Sequence, residues 1–130
     1  MKFGIFYEHQ LPRPWTANGE YELLQNSLDE VELADQLGYD YAWEVEHHFL
    51  EEYSHSSAPE VFLAAASQRT KQIRLAHGII QLTTNHPARV AERVSTLDLI
   101  SGGRVEFGIG EGSSITELHP FDRQIGRAHV

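Results

Sequence analysis

The strongest constraint on the fold of this chain is a regular alternation of short apolar runs with longer amphipathic segments along its 130 residues. Apolar residues recur at helical spacing in the longer segments, whereas the short runs are rich in β-branched and aromatic residues. These patterns predict strands over 2–7, 39–45, 73–82 and 104–109, and helices over 21–37, 59–69 and 87–100. Such a strand–helix–strand order is typical of a parallel α/β sheet with right-handed helical crossovers.

Two architectures contain such a sheet, the doubly wound open sheet and the eight-stranded βα barrel. A doubly wound domain usually carries a glycine-rich phosphate loop after its first strand, and the segment here, Glu8-His9-Gln10-Leu11-Pro12-Arg13, contains no glycine. The barrel is therefore favoured, although a complete barrel needs about 250 residues and eight strands. We interpret residues 1–124 as the N-terminal half of a TIM (β/α)8 barrel, with about four βα units.

The last six residues, 125–130, follow neither a helical nor a strand pattern. They match the conceptual translation, in one frame, of a widely used sequencing adapter. We therefore predict that 125–130 is a non-native tail and leave it out of the fold assignment. The alternative is an ordinary natural terminus, which a stop codon directly after Val130 in the source gene would establish.

Composition excludes several classes of protein and of site. With 19 acidic residues against 10 Lys and Arg, the formal net charge is −9, whereas nucleic-acid and anionic-membrane surfaces need clustered cations. The sequence contains no Cys, so disulfides and thiolate chemistry are excluded. No apolar run approaches the roughly 20 residues of a membrane span, and the N-terminus lacks a secretory apolar core. We expect a soluble, cytoplasmic protein that binds neither nucleic acid nor membranes.

In a βα barrel the active site lies at the carboxyl ends of the strands, and polar segments follow the predicted strands here. The second of these segments, Glu46-His47-His48-Phe49, contains adjacent His residues that suggest a metal site. Neighbouring side chains on an extended segment point to opposite sides, however, and the usual zinc-ligand spacings are missing, so we predict no metal. One His facing the barrel mouth suits a general base or hydrogen-bond donor. A pair that merely satisfies loop carbonyls remains the alternative.

Glycines mark the end of the fourth predicted strand, in Gly108-Ile109-Gly110-Glu111-Gly112-Ser113. This segment departs from a dinucleotide fingerprint, because Ser113 holds the third glycine position and Glu111 would repel a phosphate. Alternating glycines at a strand end instead allow a flat ligand to approach the backbone, and a simple tight turn is the alternative.

The third predicted strand contains an interior glycine, Gly78, among apolar residues. A glycine there weakens a strand unless something needs the space or an unusual backbone, although a barrel-core strand can also tolerate one. Strict alternation predicts that Gly78 and Ile80 share one face of the strand. The other face would then carry His77, Ile79 and Gln81.

Taken in order, the motifs over residues 2–114 resemble the bacterial luciferase-like superfamily of flavin-dependent oxidoreductases. The most specific motifs are Glu46-His47-His48-Phe49 and the segment Asp98-Leu99-Ile100-Ser101-Gly102-Gly103-Arg104, each on the appropriate predicted element. Further matches are Lys2-Phe3-Gly4-Ile5-Phe6, Leu37-Gly38-Tyr39-Asp40 and Asn85-His86-Pro87-Ala88-Arg89 with Glu92. The resemblance implies a βα barrel of about twice this length.

The resemblance also implies that reduced FMN, or a deazaflavin in some branches, binds at the strand ends. It implies His47 as the catalytic residue near the flavin, and a non-proline cis peptide beneath the flavin ring at Gly78 and Ile79. Gly110 and Glu111 are implied beside the cofactor. Luciferases carry an Arg at the position of Glu111 that helps to hold the flavin phosphate, so we expect the phosphate-binding residues to lie outside this half.

The resemblance implies a monooxygenase that uses reduced FMN and molecular oxygen on a small organic substrate. A separate flavin reductase and a full-length dimer are further expectations. Two alternatives remain open: a deazaflavin-dependent dehydrogenase or reductase that transfers hydride, and a non-catalytic flavin-binding barrel protein. We expect the half barrel by itself to be inactive, because it would expose two strand edges and the inner apolar face.

Overall fold

The computed structural model describes residues 1–123 and contains four parallel strands in sequential order. The strands are β1 (Gly4–Tyr7), β2 (Tyr41–Glu44), β3 (Arg74–Gln81) and β4 (Val105–Gly110). The helices are α1 (Gly19–Gln36), α2 (Pro59–Arg69), α3 (Pro87–Ser101) and a short α4 (Ile115–Leu118), which leads into a 3-10 turn, His119–Phe121. The predicted alternation is confirmed, whereas α4 and the turn were not predicted. The predicted tail, 125–130, lies outside the described residues.

Within residues 1–123, one face of the sheet is covered by helices and the other is not. The core between sheet and helices contains Val31 from α1, Leu63 from α2, Leu75 from β3 and Leu97 from α3, each 2% exposed or less. The opposite face carries large aromatic side chains, among which Phe6 is 57% exposed. This is the arrangement of one part of a βα barrel, whose second face lines the barrel interior.

The motif over 98–104, which spans the end of α3, has a structural role. The helix ends at Ser101, and the residue that caps it, Gly102, has a left-handed φ of 72° that suits a residue without a Cβ. The guanidinium of Arg104 then donates to the carbonyl oxygens of Ser67 at 2.7 Å and Ile73 at 3.0 Å, and to Oγ1 of Thr70 at 2.8 Å. Arg104 therefore anchors the start of β4 to the segment between α2 and β3.

Strand β3 contains a bulge, and the strict alternation expected for it is wrong. His77 pairs with Phe107 and Ile80 pairs with Ile109, so two residues on β3 oppose one on β4. The two residues of the bulge are Gly78 and Ile79, and the peptide bond between them is cis, as the resemblance implied. An inserted residue reverses the facing of every side chain beyond it.

Because the strands are parallel, their carboxyl ends lie at one edge of the sheet and the following loops meet there. The backbone N–H of His55 donates to the carbonyl oxygen of His9 at 3.0 Å, which joins the loops after β1 and β2. The N–H of Leu82 donates to the carbonyl oxygen of Gly110 at 2.9 Å, which joins the loop after β3 to the end of β4. Within residues 1–123, no helix combines the length and apolar character needed to cross a membrane.

Candidate functional site

A cavity of about 320 Å³ opens at the carboxyl edge of the sheet. The ends of β2, β3 and β4 and the short helix α4 contribute its lining residues: Val45, Glu46, His47, Gly78, Ile79, Gln81, Gly110, Glu111, Gly112, Ser113 and Glu117. The five residues predicted as a site, His47, Gly78, Ile79, Gly110 and Glu111, all belong to this lining. The structure therefore brings them together, and their roles toward a cofactor or substrate stay predictions.

The imidazole of His47 lies between two carboxylates. Its Nδ1 lies 2.8 Å from Oε1 of Glu117, and its Nε2 lies 3.3 Å from Oε2 of Glu8. The Glu117 side chain is 2% exposed, whereas that of His47 is 25% exposed. An ionised carboxylate can only accept a hydrogen bond, so the contact with Glu117 places a proton on Nδ1. Oε2 of Glu8 has no hydrogen-bond partner within the described residues, so Nε2 does not donate to it and holds the lone pair of the neutral ring.

Glu117 also orders the surrounding segments. Its Oε1 accepts hydrogen bonds from the backbone N–H of His48 and from Nε2 of Gln81, both at 3.0 Å. The same Gln81 nitrogen donates to the carbonyl oxygen of Glu46 at 2.9 Å. One buried carboxylate oxygen thus ties α4 to the loop after β2 and to the end of β3, which fixes the ring of His47 in place.

The second His of the motif has different partners. Nε2 of His48 lies 2.9 Å from Oε1 of Glu46, which also accepts from Nδ2 of Asn85 at 2.7 Å. The His48 ring packs edge to face on Phe121, with 5.0 Å between the ring centroids. The two adjacent imidazoles therefore contact different carboxylates, His47 that of Glu117 and His48 that of Glu46. In the part of the chain that the structure describes, no group of three or more His, Asp or Glu side chains is arranged to hold a metal ion.

Glycines form the part of the cavity wall between β3 and β4. A Cβ added at Gly110 would lie 2.8 Å from Cδ1 of Ile79, so the backbone and the Ile79 side chain already fill the space that a larger residue needs. A Cβ added at Gly78 would lie 3.2 Å from the Trp43 ring and 3.3 Å from the Phe6 ring. A wall of backbone without Cβ atoms has room for a planar ring to approach the main chain, and a flavin ring is planar.

The cavity is acidic. Its lining within residues 1–123 includes the carboxylates of Glu46, Glu111 and Glu117 and no Lys or Arg. Glu8 adds a fourth carboxylate beside His47. Phosphate groups are bound by cations or by the N-termini of helices, so the described part of this cavity offers no cation for a flavin phosphate. The expectation that phosphate-binding residues lie elsewhere stays a prediction.

Sequence reasoning missed Glu117 and did not assign a role to Gln81. Glu117 belongs to Ser114-Ile115-Thr116-Glu117, a spacing typical of a helix capping box, in which the acid would cap its own helix. Ser114 is indeed the N-cap of α4, but its side chain makes no cap hydrogen bond. Glu117 turns to His47 instead, so the capping spacing locates the residue without revealing its contact.

Comparison with known proteins gives a consistent assignment. The family model described as luciferase-like monooxygenase matches residues 1–129. The chain is 41% identical over 96 residues to 4-hydroxyprotoasukamycin monooxygenase of Streptomyces nodosus subsp. asukaensis, a match that covers 74% of this chain and 26% of the relative. The chain thus spans about a quarter of the length of the curated relatives that it matches.

Solved structures agree with the sequence comparison. The monooxygenase RslO1 from Streptomyces bottropensis superposes with a TM-score of 0.86 at 36% identity, covering 96% of this chain and 37% of that one. The coenzyme F420-dependent tetrahydromethanopterin reductase from Methanopyrus kandleri superposes with a TM-score of 0.63 at 31% identity, covering 86% of this chain and 27% of that one. The described strands, helices and strand-end cavity, together with these matches, show that the chain belongs to the luciferase-like monooxygenase family.

Proposed function

We propose that this chain supplies the N-terminal part of the active site of a flavin-dependent monooxygenase. The enzyme would use reduced FMN and molecular oxygen to oxidise a small organic substrate. The observation that carries the proposal is the placement of His47, which lines the same cavity as Gly78 and Gly110. Oε1 of Glu117, 2.8 Å from Nδ1 of His47, holds the ring there. Family membership and the 36% identical monooxygenase structure give this arrangement its chemical context.

The glycine-lined wall is the proposed seat of the flavin ring. Gly78, Ile79 and Gly110 present backbone and one aliphatic side chain to the cavity. Glu111 lines the same cavity, and its carboxylate can accept hydrogen bonds from hydroxyl groups of the ribityl chain or of the substrate. When bound, reduced FMN supplies the electrons that activate oxygen. A separate flavin reductase would deliver it, and the phosphate would bind to residues outside the described cavity.

His47 is the proposed general base. With its proton on Nδ1 held by Glu117, the ring can accept a second proton at Nε2. The carboxylate of Glu8, 3.3 Å from Nε2, would stabilise the ring once it carries that proton. Glu117 thus selects the tautomer and Glu8 favours the charged product, a division of work typical of a His paired with carboxylates.

A deazaflavin-dependent dehydrogenase or reductase is the second candidate. The likeness to the coenzyme F420-dependent reductase of Methanopyrus kandleri, at 31% identity, favours this possibility. A flat glycine-lined wall can seat a deazaflavin ring as well as a flavin ring. The two candidates differ in the electron acceptor, because hydride transfer to or from a deazaflavin needs no oxygen.

Cofactor binding to the full-length protein tests the proposal and separates the candidates. We expect FMN to bind with a higher affinity than coenzyme F420 in parallel titrations followed by absorbance and fluorescence. Gly110→Ala is expected to weaken this binding by about 5- to 30-fold, since about 1–2 kcal/mol of contact is lost when the wall is altered. His119→Gln, an exposed His on the 3-10 turn, is the matched surface control. Binding of coenzyme F420 alone would replace the first candidate with the second.

A further inference from the structure

A second cluster of buried polar side chains lies beside the cavity, between the ends of β1 and β2 and helix α2. Its members are His9, Glu44 and Ser56, which are 3%, 0% and 4% exposed. Nδ1 of His9 lies 2.9 Å from Oε1 of Glu44, and Oγ of Ser56 donates a hydrogen bond to the same oxygen. None of the three lines the cavity, so the proposed reaction does not use them directly.

Burying these polar groups costs folding free energy unless the interactions among them offset the loss of hydration. Burial raises the pKa of Glu44, and the contacts with His9 and Ser56 act in the opposite direction. The His9 ring also packs edge to face on Phe62, with 4.7 Å between centroids, and lies 5.5 Å from the ring of Tyr7. Contacts with His9 and Ser56 hold the buried carboxylate of Glu44 in one position. Removing one member of the cluster would leave a buried polar partner unpaired.

The contact between Glu44 and His9 connects the cluster to Glu8, the residue before His9. His9 has a left-handed backbone with a φ of 50°, a conformation that residues other than glycine seldom adopt. At this turn the chain sends the ring of His9 to Glu44, while the preceding carboxylate of Glu8 reaches Nε2 of His47 at 3.3 Å. The contact between His9 and Glu44 therefore stabilises the backbone that aims Glu8 at the site.

The contact between Glu44 and Ser56 connects the cluster to the backbone of His47. Oγ of Ser56 lies 2.6 Å from the carbonyl oxygen of Val45. The carbonyl oxygen of Ser56 accepts a hydrogen bond from the backbone N–H of His47 at 2.8 Å. Oε1 of Glu44 is thus connected to His47 in two ways. The contacts through His9 lead to the ring of His47, and those through Ser56 lead to its main chain.

We propose that Glu44 is a positioning residue for this site. Through His9 it aims Glu8 at Nε2 of His47, and through Ser56 it fixes the main chain of His47. The inference deepens the proposed function and rests on it for the role of His47 as the reacting group. The positioning itself involves side chains of this chain and can be measured without any cofactor.

The test is a double-mutant comparison by NMR on the full-length protein with ¹³C-labelled His and no added cofactor. The ring resonance of His47 is identified by its loss in His47→Gln. We expect Glu8→Gln to move this resonance, because a charge beside Nε2 is removed. In a Glu44→Gln background, the same change is expected to move the resonance by less than about half as much, because Glu8 is no longer aimed at His47.

The matched control is Asp35→Asn. Asp35 is also a buried carboxylate, but it accepts hydrogen bonds from the backbone N–H groups of residues 71–73, just before β3. These residues lie at the amino ends of the strands, away from the cavity. In that background Glu8→Gln is expected to move the His47 resonance by its full amount. A general loss of stability would affect both backgrounds, whereas a positioning role affects Glu44→Gln alone.

An equal effect of Glu8→Gln in the native and Glu44→Gln backgrounds would overturn the inference. If Glu44→Gln does not fold, His9→Asn removes the ring that contacts Glu44, keeps a residue type that tolerates the left-handed backbone, and carries the same comparison with the same two outcomes. Failure of the proposed function gives a different result. A protein that neither binds flavin nor consumes oxygen, yet shows the reduced effect, would contradict the function while leaving the positioning intact.

Discussion

Oε1 of Glu117 lies 2.8 Å from Nδ1 of His47, although 70 positions separate the two residues in the chain. The contact joins the loop after β2 to the short helix after β4, across the end of β3. It gives His47, which lines the glycine-walled cavity, a defined tautomer, and Nε2 lies 3.3 Å from Oε2 of Glu8. The contact thereby gives the residue that the resemblance implied as catalytic a partner that orients its ring.

The first prediction concerns that contact. Glu117→Gln replaces a charged acceptor with a neutral amide, and a hydrogen bond to a charged group contributes about 1.5–3 kcal/mol. We expect kcat for oxygen consumption with reduced FMN to fall by about 10- to 100-fold. The control is Glu92→Gln on the exposed surface of α3, where the side chain is paired with Arg89 and 61% exposed. Equal rates in the two variants would remove Glu117 from its role.

The second prediction compares two glycines of β4. A Cβ at Gly108 would lie 2.4 Å from the carbonyl oxygen of His77, whereas one at Gly110 would lie 2.8 Å from the end of the Ile79 side chain. Backbone cannot yield as a side chain can, so Gly108→Ala is expected to cost about 1–3 kcal/mol or more of folding free energy. Gly110→Ala is expected to fold and to lose cofactor affinity instead. Urea unfolding measures the folding free energy of both variants, and titration measures their affinity for FMN. A larger loss of folding free energy in Gly110→Ala than in Gly108→Ala would contradict the prediction.

The third prediction concerns the stability of the protein in acid. Burial raises the pKa of Asp35, but hydrogen bonds from the N–H groups of Ile73, Lys71 and Gln72 outweigh that effect, so the pKa lies below its ordinary value of 3.8. Because the pKa is lower in the folded state, ionised Asp35 contributes stability that is fully present above about pH 4 and is lost as the pH falls through the folded value.

Asp35→Asn is therefore expected to destabilise the protein most at neutral pH. Urea unfolding at pH 7 and at pH 3 measures the difference in free energy of unfolding between the variant and the native protein. We expect this difference to shrink at the lower pH. A difference that stays constant over the whole range would show that the charge of Asp35 does not contribute.

The fourth prediction concerns the 130-residue chain by itself. Three large apolar side chains of the sheet are half exposed, namely Phe6 at 57%, Phe107 at 47% and Ile109 at 54%. The strands β1 and β4 also form the open edges of the four-stranded sheet. Exposed strand edges and apolar patches promote association. We expect the isolated chain to aggregate or to pair with a second copy, and to bind flavin poorly, as measured by size-exclusion chromatography and fluorescence titration.

A monodisperse, cooperatively unfolding monomer with a micromolar affinity for flavin would contradict that expectation. Phe107→Ser combined with Ile109→Ser gives an independent check, because both side chains lie on β4 and neither lines the cavity. The double variant is expected to associate less than the native chain. An unchanged degree of association would place the cause elsewhere.

The fold was predictable because hydrophobic periodicity separates strands from helices in a βα repeat. The helix α2, Pro59–Arg69, begins and ends where the sequence predicts, since proline favours the first turn and the apolar spacing defines the rest. The bulge at Gly78 was not predictable from alternation, which assumes an unbroken pairing register. The short helix Ile115–Leu118 also lacked a periodic signal, because four residues are too few to show a period, and only the capping spacing at its start marked it.

The site was predictable where its residues follow directly from strand ends. His47, Gly110 and Glu111 come after β2 or at the end of β4, and parallel strands bring those ends together. Glu117 could not be found in this way, because its contact depends on how the loop before α4 folds back. The positions of Glu8 and His9 depend on a left-handed residue in the loop after β1, which no sequence pattern indicated.

The most direct test of the central claim is oxygen consumption by the full-length protein with reduced FMN, compared between the native enzyme and His47→Gln. General base catalysis contributes about 10²- to 10⁴-fold. We predict that His47→Gln lowers the substrate-dependent rate by at least about 100-fold, while the affinity for FMN changes by less than about 3-fold. Equal rates in the two proteins, or no oxygen consumption by the native one despite bound FMN, would contradict the account.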